Sequence, residues 1–189
     1  MKRLFLYFFL ITLGSCSFDY QSLAPEDESQ PDLIMDEVEY VRVRDGSPVV
    51  RFEAEHAERY EKRQTMELKR FSFEQFEQRG DEVNAAGSAG AASVELESGN
   101  IRMDAGVRIA VDSEDVVMET AALDWADKER RLSAGESAPV DIQRSDGTTF
   151  TGWGFSADVR QRTWSFTGGA TGTYVHEDDE EPEAEGGGE

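Results

Sequence analysis

The sequence predicts an all-β protein made of two facing antiparallel sheets. Three observations lead there. Apolar residues alternate with polar ones over short runs, glycine-centred turn signals separate those runs, and a weak repeat recurs along the chain. Alternation with period two is what a strand with one buried face requires, since successive side chains point to opposite sides.

The elements follow in chain order. Val50, Phe52 and Ala54 alternate with Arg51, Glu53 and Glu55. Ile101 and Met103 alternate with Arg102 and Asp104, and Val107, Ile109 and Val111 with Arg108, Ala110 and Asp112. The same pattern returns at Val94 and Leu96, at Val140 and Ile142, through Trp153, Phe155, Ala157 and Val159, and at Trp164 and Phe166. Turns are expected at Asp45-Gly46, Arg79-Gly80-Asp81, Ser98-Gly99-Asn100, Ala134-Gly135, Asp146-Gly147 and Gly168-Gly169. Two stretches read less simply. His56 to Gln64 is charged, with Ala54, Ala57 and Tyr60 three apart, so a short helix competes with a strand there. Between Leu68 and Phe71 the apolar set changes register, which a β-bulge at Lys69-Arg70 would explain.

The repeat pairs a leading alanine with a following apolar step. Ala57 leads to Met66 and Leu68, Ala92 to Ile101 and Met103, Ala122 to Leu132 and Ala134, and Ala157 to Trp164 and Phe166. The alanines lie 35, 30 and 35 residues apart, about two hairpins each time. A β unit that exposes an apolar face must stack on its neighbours to bury it, so the expected product is an elongated roll.

The ends differ in kind from this middle. Lys2 and Arg3 precede ten largely apolar residues and then Leu13-Gly14-Ser15-Cys16, the layout of a secretory signal peptide over residues 1–15. The apolar run is too short to span a bilayer, which takes roughly 20 residues. Cys16, the one cysteine, resembles the lipid-bearing cysteine of a bacterial lipobox, which implies a mature chain anchored through Cys16 to a membrane and facing the periplasm. Residues 16–32 are polar and acidic, with Pro25 and Pro31, and read as a flexible tether; residues 33–175 carry the folded domain. Residues 176–189 hold His176, eight acids and no Lys or Arg, and read as a disordered, solvated tail.

Charge and composition exclude several function classes. The net charge of −21 shifts to −23 when the two positive charges of Lys2 and Arg3 are removed, and no basic run is present to displace phosphate counterions, so a nucleic-acid partner is not expected. Two histidines and a single thiol supply neither a Ser-His-Asp arrangement nor a zinc set, and no carboxylate pair stands out from the solvated strand faces. No catalytic residue, metal or cofactor is expected.

Several segments together resemble one family. These are the Ala57-x-x-Tyr60 step, Gly99-Asn100-Ile101, Gly106-Val107, Thr120-Ala121-Ala122-Leu123-Asp124-Trp125, Pro139-Val140-x-Ile142, and above all Thr151-Gly152-Trp153-Gly154-Phe155-Ser156-Ala157-Asp158. In order and spacing, from about residue 34 to 175, they are similar to the periplasmic lipopolysaccharide-export proteins LptC and LptA. The resemblance implies an OstA-like β-jellyroll, two sheets in a V whose interior holds lipopolysaccharide acyl chains, and in so acidic a roll the lipid phosphates are expected to be left to solvent or to bridging divalent ions. It implies an LptC-like role: taking lipopolysaccharide, or a related acylated glycolipid, from an inner-membrane LptBFG-like ABC transporter and passing it to an LptA-like protein by edge-strand addition. The chain departs from the family in carrying a lipobox where LptC has a transmembrane helix. The role favours the inner membrane for the anchor, whereas Ser17 after the cysteine points to the outer one.

Thirteen residues are expected inside the roll: Phe52, Leu68, Leu96, Met103, Ile109, Met118, Leu123, Trp125, Leu132, Ile142, Phe155, Trp164 and Phe166. Each can line a lipid groove or fill a packed core, and the rival reading is an envelope lipoprotein with a closed core acting as a scaffold or protein-binding module. Gly152 and Gly154 are expected either at a bend or at an edge that meets a partner closely.

Overall fold

The computed structural model describes residues 29–77 and 82–175. Cys16, most of the tether, the expected turn at Arg79 to Asp81 and the acidic tail lie outside the described residues. The described residues form thirteen strands: β1 (Leu33–Arg44), β2 (Ser47–Tyr60), β3 (Thr65–Phe76), β4 (Val83–Glu95), β5 (Ile101–Val111), β6 (Val116–Thr120), β7 (Leu123–Ala126), β8 (Arg131–Ser133), β9 (Val140–Arg144), β10 (Thr149–Gly152), β11 (Phe155–Asp158), β12 (Thr163–Phe166) and β13 (Ala170–Thr173). A 3₁₀ turn, Asp112–Glu114, joins β5 to β6. His56 to Tyr60 is strand, so the helix alternative fails there, and the chain turns only at residues 61–64.

All pairings among these strands are antiparallel, and the hydrogen-bonded path branches at β5. Its second half pairs with β6 and leads on through β9 and β10 to β13. Its first half pairs with β7 and leads through β8 and β11 to β12. Two half-sheets result. Strands β1 to β5 are long enough to belong to both, and from β6 onward each short strand belongs to one.

The line dividing the halves is visible in the backbone. Glu37, Arg70 and Ala105 have φ of 53°, 50° and 64°, left-handed values that L side chains rarely adopt. They stand level with Glu55 and Gly90, and the ladders skip this level on every strand: Asp36 and Val38 pair with His56 and Ala54, Lys69 and Phe71 with Ala91 and Ala89. A left-handed residue turns the strand sharply and moves the next side chain to the other face. On β3 that explains why the buried Leu68 and Phe71 are three apart, and the same spacing at Ala54 and Ala57 and at Ala89 and Ala92 is kept by the strands paired to it. The bulge expected at Lys69-Arg70 is therefore corrected, because β2 and β3 keep their register through it. At this level the register shift lies two pairs further on, between β4 and β5, where Ala105 and Gly106 stand opposite Gly90.

After β5 the chain crosses this line in loops at residues 121–122, 134–139, 153–154 and 167–169. The repeat found in the sequence also becomes physical. Hairpins β2–β3, β4–β5, β7–β8 and β11–β12 are the four units of one half-sheet, hereafter the second, and their tips share one end.

Gly90 sits where the fold line draws two strands together. A Cβ there would lie 2.7 Å from the Ala105 carbonyl oxygen and 2.8 Å from its Cβ, and neither can retreat. Gly90→Val should destabilise the domain by about 2–4 kcal/mol in urea unfolding. Ala105→Gly should raise stability by up to about 1 kcal/mol by relieving the left-handed φ.

Candidate functional site

The registers place the interior side chains in rows that cross each half-sheet. In the first half-sheet one row runs Tyr40, Phe52, Phe73, Gly87, Ile109, Met118, Ile142, Phe150 and Gly172, one residue from each of nine strands. The next row, nearer the fold line, runs Val38, Ala54, Phe71, Ala89, Val107, Thr120, Val140, Gly152 and Ala170. In the second half-sheet the row nearest the line runs Met35, Ala57, Leu68, Ala92, Met103 and Leu123 and continues in Ala134, Phe155 and Phe166. Beyond it run Leu33, Arg59, Met66, Val94, Ile101, Trp125, Leu132, Ala157 and Trp164. Alternation makes each row nearly all apolar, and its outward neighbours, such as Glu58, Glu67, Ser93, Arg102, Asp124, Ser133, Ser156 and Ser165, mostly polar.

Burial follows distance from the fold line. Ala57 and Val140 are wholly buried and Leu123 nearly so, and the rows beside the line join in one apolar cluster. Further out in the second half-sheet Met66, Val94, Ile101, Trp125 and Leu132 are half-buried, and Leu33 and Trp164 are exposed. The interior is closed along the line and opens toward the hairpin tips.

Of the thirteen expected residues, twelve lie on these rows, and Leu123, Met103, Phe155, Ile109 and Ile142 are the most buried among them. Leu96 does not. It sits in the β4–β5 turn, half-buried, its N–H donating to the Gln64 carbonyl at 2.8 Å. Trp164 holds an interior position yet is about half exposed, with its ring 5.7 Å from Phe150 and 5.6 Å from Phe166. Through Phe150 and Trp164 the two half-sheets meet at the β12–β13 end. At the β1 end the aromatic row continues through Tyr40 on Phe52 at 6.1 Å and Phe52 on Phe71 at 5.8 Å. Phe71, Val107 and Val140 were not singled out from the sequence. Alternation with Phe73, Ile109 and Ile142 carries their signal, and the pairing shows them to be the more deeply placed of each set.

The paired glycines have a packing explanation. Gly152 is hydrogen-bonded on both sides, to β9 and β13, so it is not an edge residue. A Cβ on it would lie 2.6 Å from the Phe166 ring. Gly154 has φ of 63° and lies against Thr167 where the β10–β11 and β12–β13 crossings abut. Both serve close approach of the half-sheets.

One electrostatic network stands on the outer face beside the fold line. His56 Nδ1 meets Asp36 Oδ1 at 2.7 Å and its Nε2 meets Glu58 Oε1 at 3.0 Å, while the Tyr60 hydroxyl donates to Glu58 Oε2 at 2.7 Å. The bond to Asp36 foremost, then that to Glu58, raises the His56 pKa above 6.5. The Tyr60 hydroxyl foremost lowers that of Glu58. Protonated His56 thereby ties edge strand β1 to β2.

The described residues define an all-β jellyroll with an apolar interior. The model of the family described as "Lipopolysaccharide-assembly, LptC-related" matches residues 4–175, and the chain belongs to that family. Among solved structures, it is similar to LptH, "the LptA homologous periplasmic component of the conserved lipopolysaccharide transport device from Pseudomonas aeruginosa". The TM-score is 0.51 at 10% identity, covering 67% of this chain and 95% of that one. No curated protein matches the sequence.

Two outcomes are expected. Gly152→Val should displace the Phe166 ring and lower the unfolding midpoint, with a change in tryptophan emission from neighbouring Trp164. For His56, a folded pKa above the unfolded one means stabilisation fully present below about pH 6.5 and lost as pH rises through the folded value. Amide exchange in β1 should therefore quicken as pH rises above about 6.5, beyond its intrinsic rise, and His56→Gln should remove that excess.

Proposed function

We propose that this chain is a membrane-anchored, LptC-like lipid-transport protein. It accepts lipopolysaccharide or a related acylated glycolipid from an inner-membrane LptBFG-like ABC transporter and passes it to an LptA-like periplasmic protein. The observation that supports this most is the run of apolar interior rows across nine strands, closed along the fold line and half-exposed beyond it. An acyl chain laid along such rows buries about 0.8 kcal/mol per CH₂, so release into water is slow. Passage between two aligned interiors avoids that barrier, because the acyl chain enters the apolar lining of the second roll as it leaves that of the first.

The edges fit such alignment. β1 is twelve residues long, pairs on one side only, and exposes Leu33, Ile34, Tyr40, Val41 and Val43. β12 and β13 are likewise paired on one side at the other end of the path. A long unpaired strand with apolar side chains is a template for strand addition. Cys16, at the end of the tether, would carry the anchoring acyl chains.

The rival scaffold reading draws on a specific observation: the fold-line rows are tightly filled, and the two surface depressions, around Ser72, Ala86 and Ser88 and around Val117, Gln143 and Thr151, lie on outward-facing residues. A photo-crosslinking residue decides between the two. At half-buried Trp125 or Leu132 it should capture a glycolipid in cells, and at outward-facing Ser133 it should not. Absence of capture at both interior positions, with the protein folded and exported, sinks the transport reading. Cys16→Ser should release the chain from the membrane fraction.

A further inference from the structure

The hairpin tips of the second half-sheet gather basic residues that the sequence scatters. Eight of the 19 Lys and Arg belong to or flank these tips: Arg59, Lys62, Arg63, Lys128, Arg130, Arg131, Arg160 and Arg162. The concentration is greatest on the adjacent β7–β8 and β11–β12 tips. There Val159 N–H donates to the Arg130 carbonyl at 3.0 Å, and Arg160 Nη2 donates to the Lys128 carbonyl at 2.9 Å. The two tips are thus held side by side, bringing Lys128, Arg130, Arg131, Arg160 and Arg162 together against Asp127, Glu129 and Asp158.

Two of those acids are partly committed. Asp127 accepts from Arg130 at 3.2 Å, and Asp158 Oδ1 accepts the backbone N–H groups of Arg160 and Gln161 at 2.9 and 3.0 Å. Arg130 also lies over the Trp125 ring at 4.6 Å. Arg130 and Arg162 sit at left-handed turn positions, φ 55° and 53°, that glycine or asparagine would fill more cheaply. The β4–β5 tip, with Glu95 and Glu97, is acidic, and so is the β5–β6 turn at the opposite end, with Asp112, Glu114 and Asp115. The positive patch is local in a chain of net charge −21.

Its place in the fold gives it meaning. The interior row next to these tips is Trp125, Leu132, Ala157 and Trp164, where the apolar interior opens. Apolar lining and a cationic rim are therefore contiguous over about two residues of strand, or roughly 7 Å.

We propose that the β7–β8 and β11–β12 tips form an anion-binding rim for the phosphate groups of an acylated, phosphorylated glycolipid whose chains lie against Trp125, Leu132 and Trp164. This rests on the lipid-carrying reading and adds how the headgroup is held. It replaces the expectation that phosphates are left to solvent, because two tips far apart in sequence supply several donors to one group.

The test titrates the whole chain, in mild detergent, with diphosphoryl lipid A and with its dephosphorylated counterpart of equal acylation. The wild type should prefer the diphosphorylated lipid by about tenfold, and the preference should shrink in about 0.5 M NaCl. The variant K128E/R131E/R162E spares Arg130 and Arg160, whose contacts hold the tips, and should melt normally. It should keep affinity for the dephosphorylated lipid and lose the preference. Equal wild-type affinity for both lipids overturns the rim while leaving the lipid-carrying reading intact. So does an unchanged preference in the variant, or competition by inorganic phosphate without any preference between lipids. Failure to bind either lipid overturns both.

Discussion

The interior of this protein depends on one backbone constraint, the line of left-handed and glycine residues that crosses β1 to β5. An ordinary strand keeps each side chain on the face that alternation assigns it, so a twelve-residue strand bent toward itself would present polar residues to the inside over half its length. A left-handed residue on alternate strands, β1, β3 and β5, turns the chain and corrects the face together, with Glu55 and Gly90 level with it on β2 and β4. Glu37, Arg70 and Ala105 do this at an intrinsic cost of about 1–2 kcal/mol each. Packing of Ala57, Leu68, Ala92 and Met103 on one side of the line and Ala54, Phe71, Ala89 and Val107 on the other offsets that cost.

Small residues make the closure possible. β4 carries alanine, glycine or serine from Ala85 through Ser93, so the strand at the middle of the long meander occupies little space on either face. The Phe73 ring lies over Gly87, and Phe166 lies over Gly152. Aromatic bulk from neighbouring strands therefore fills the volume that the small residues vacate, which is how a thin interior stays apolar without becoming wide.

For a carrier of amphiphiles the consequence is a gradient. Beside the fold line the side chains are packed as in any core, and they supply stability. Away from it they are half-exposed, so a guest chain replaces water rather than protein neighbours. On the proposed lipid-carrying function, stability and lipid contact fall to different rows of the same strands, and an interior residue such as Leu123 differs from Trp125 by its row more than by its chemistry. The outer face carries ion pairs such as Arg51 with Glu74 at 2.8 Å and Arg102 with Asp104 at 3.0 Å, which at such exposure each contribute about 0–1 kcal/mol and chiefly keep that face solvated.

Much of this was legible in the chain itself. Period-two alternation marked the strands, Asp45-Gly46 and Ser98-Gly99-Asn100 marked turns, and the spacing of Ala57, Ala92, Ala122 and Ala157 marked four hairpins, because each is a local property of neighbouring residues. Twelve of the thirteen residues expected inside lie on the interior rows for the same reason, and Leu96 does not because alternation cannot say where a strand ends and its turn begins. What the sequence alone determined is therefore the strand class, the polarity of each face and the family. Tertiary structure decided the fold line, the pairing of Gly152 on both sides, and the meeting of Lys128 and Arg131 with Arg160 and Arg162. Those depend on registers between segments some 30 residues apart, and register is set by pairing energies between strands rather than by any residue's own preference.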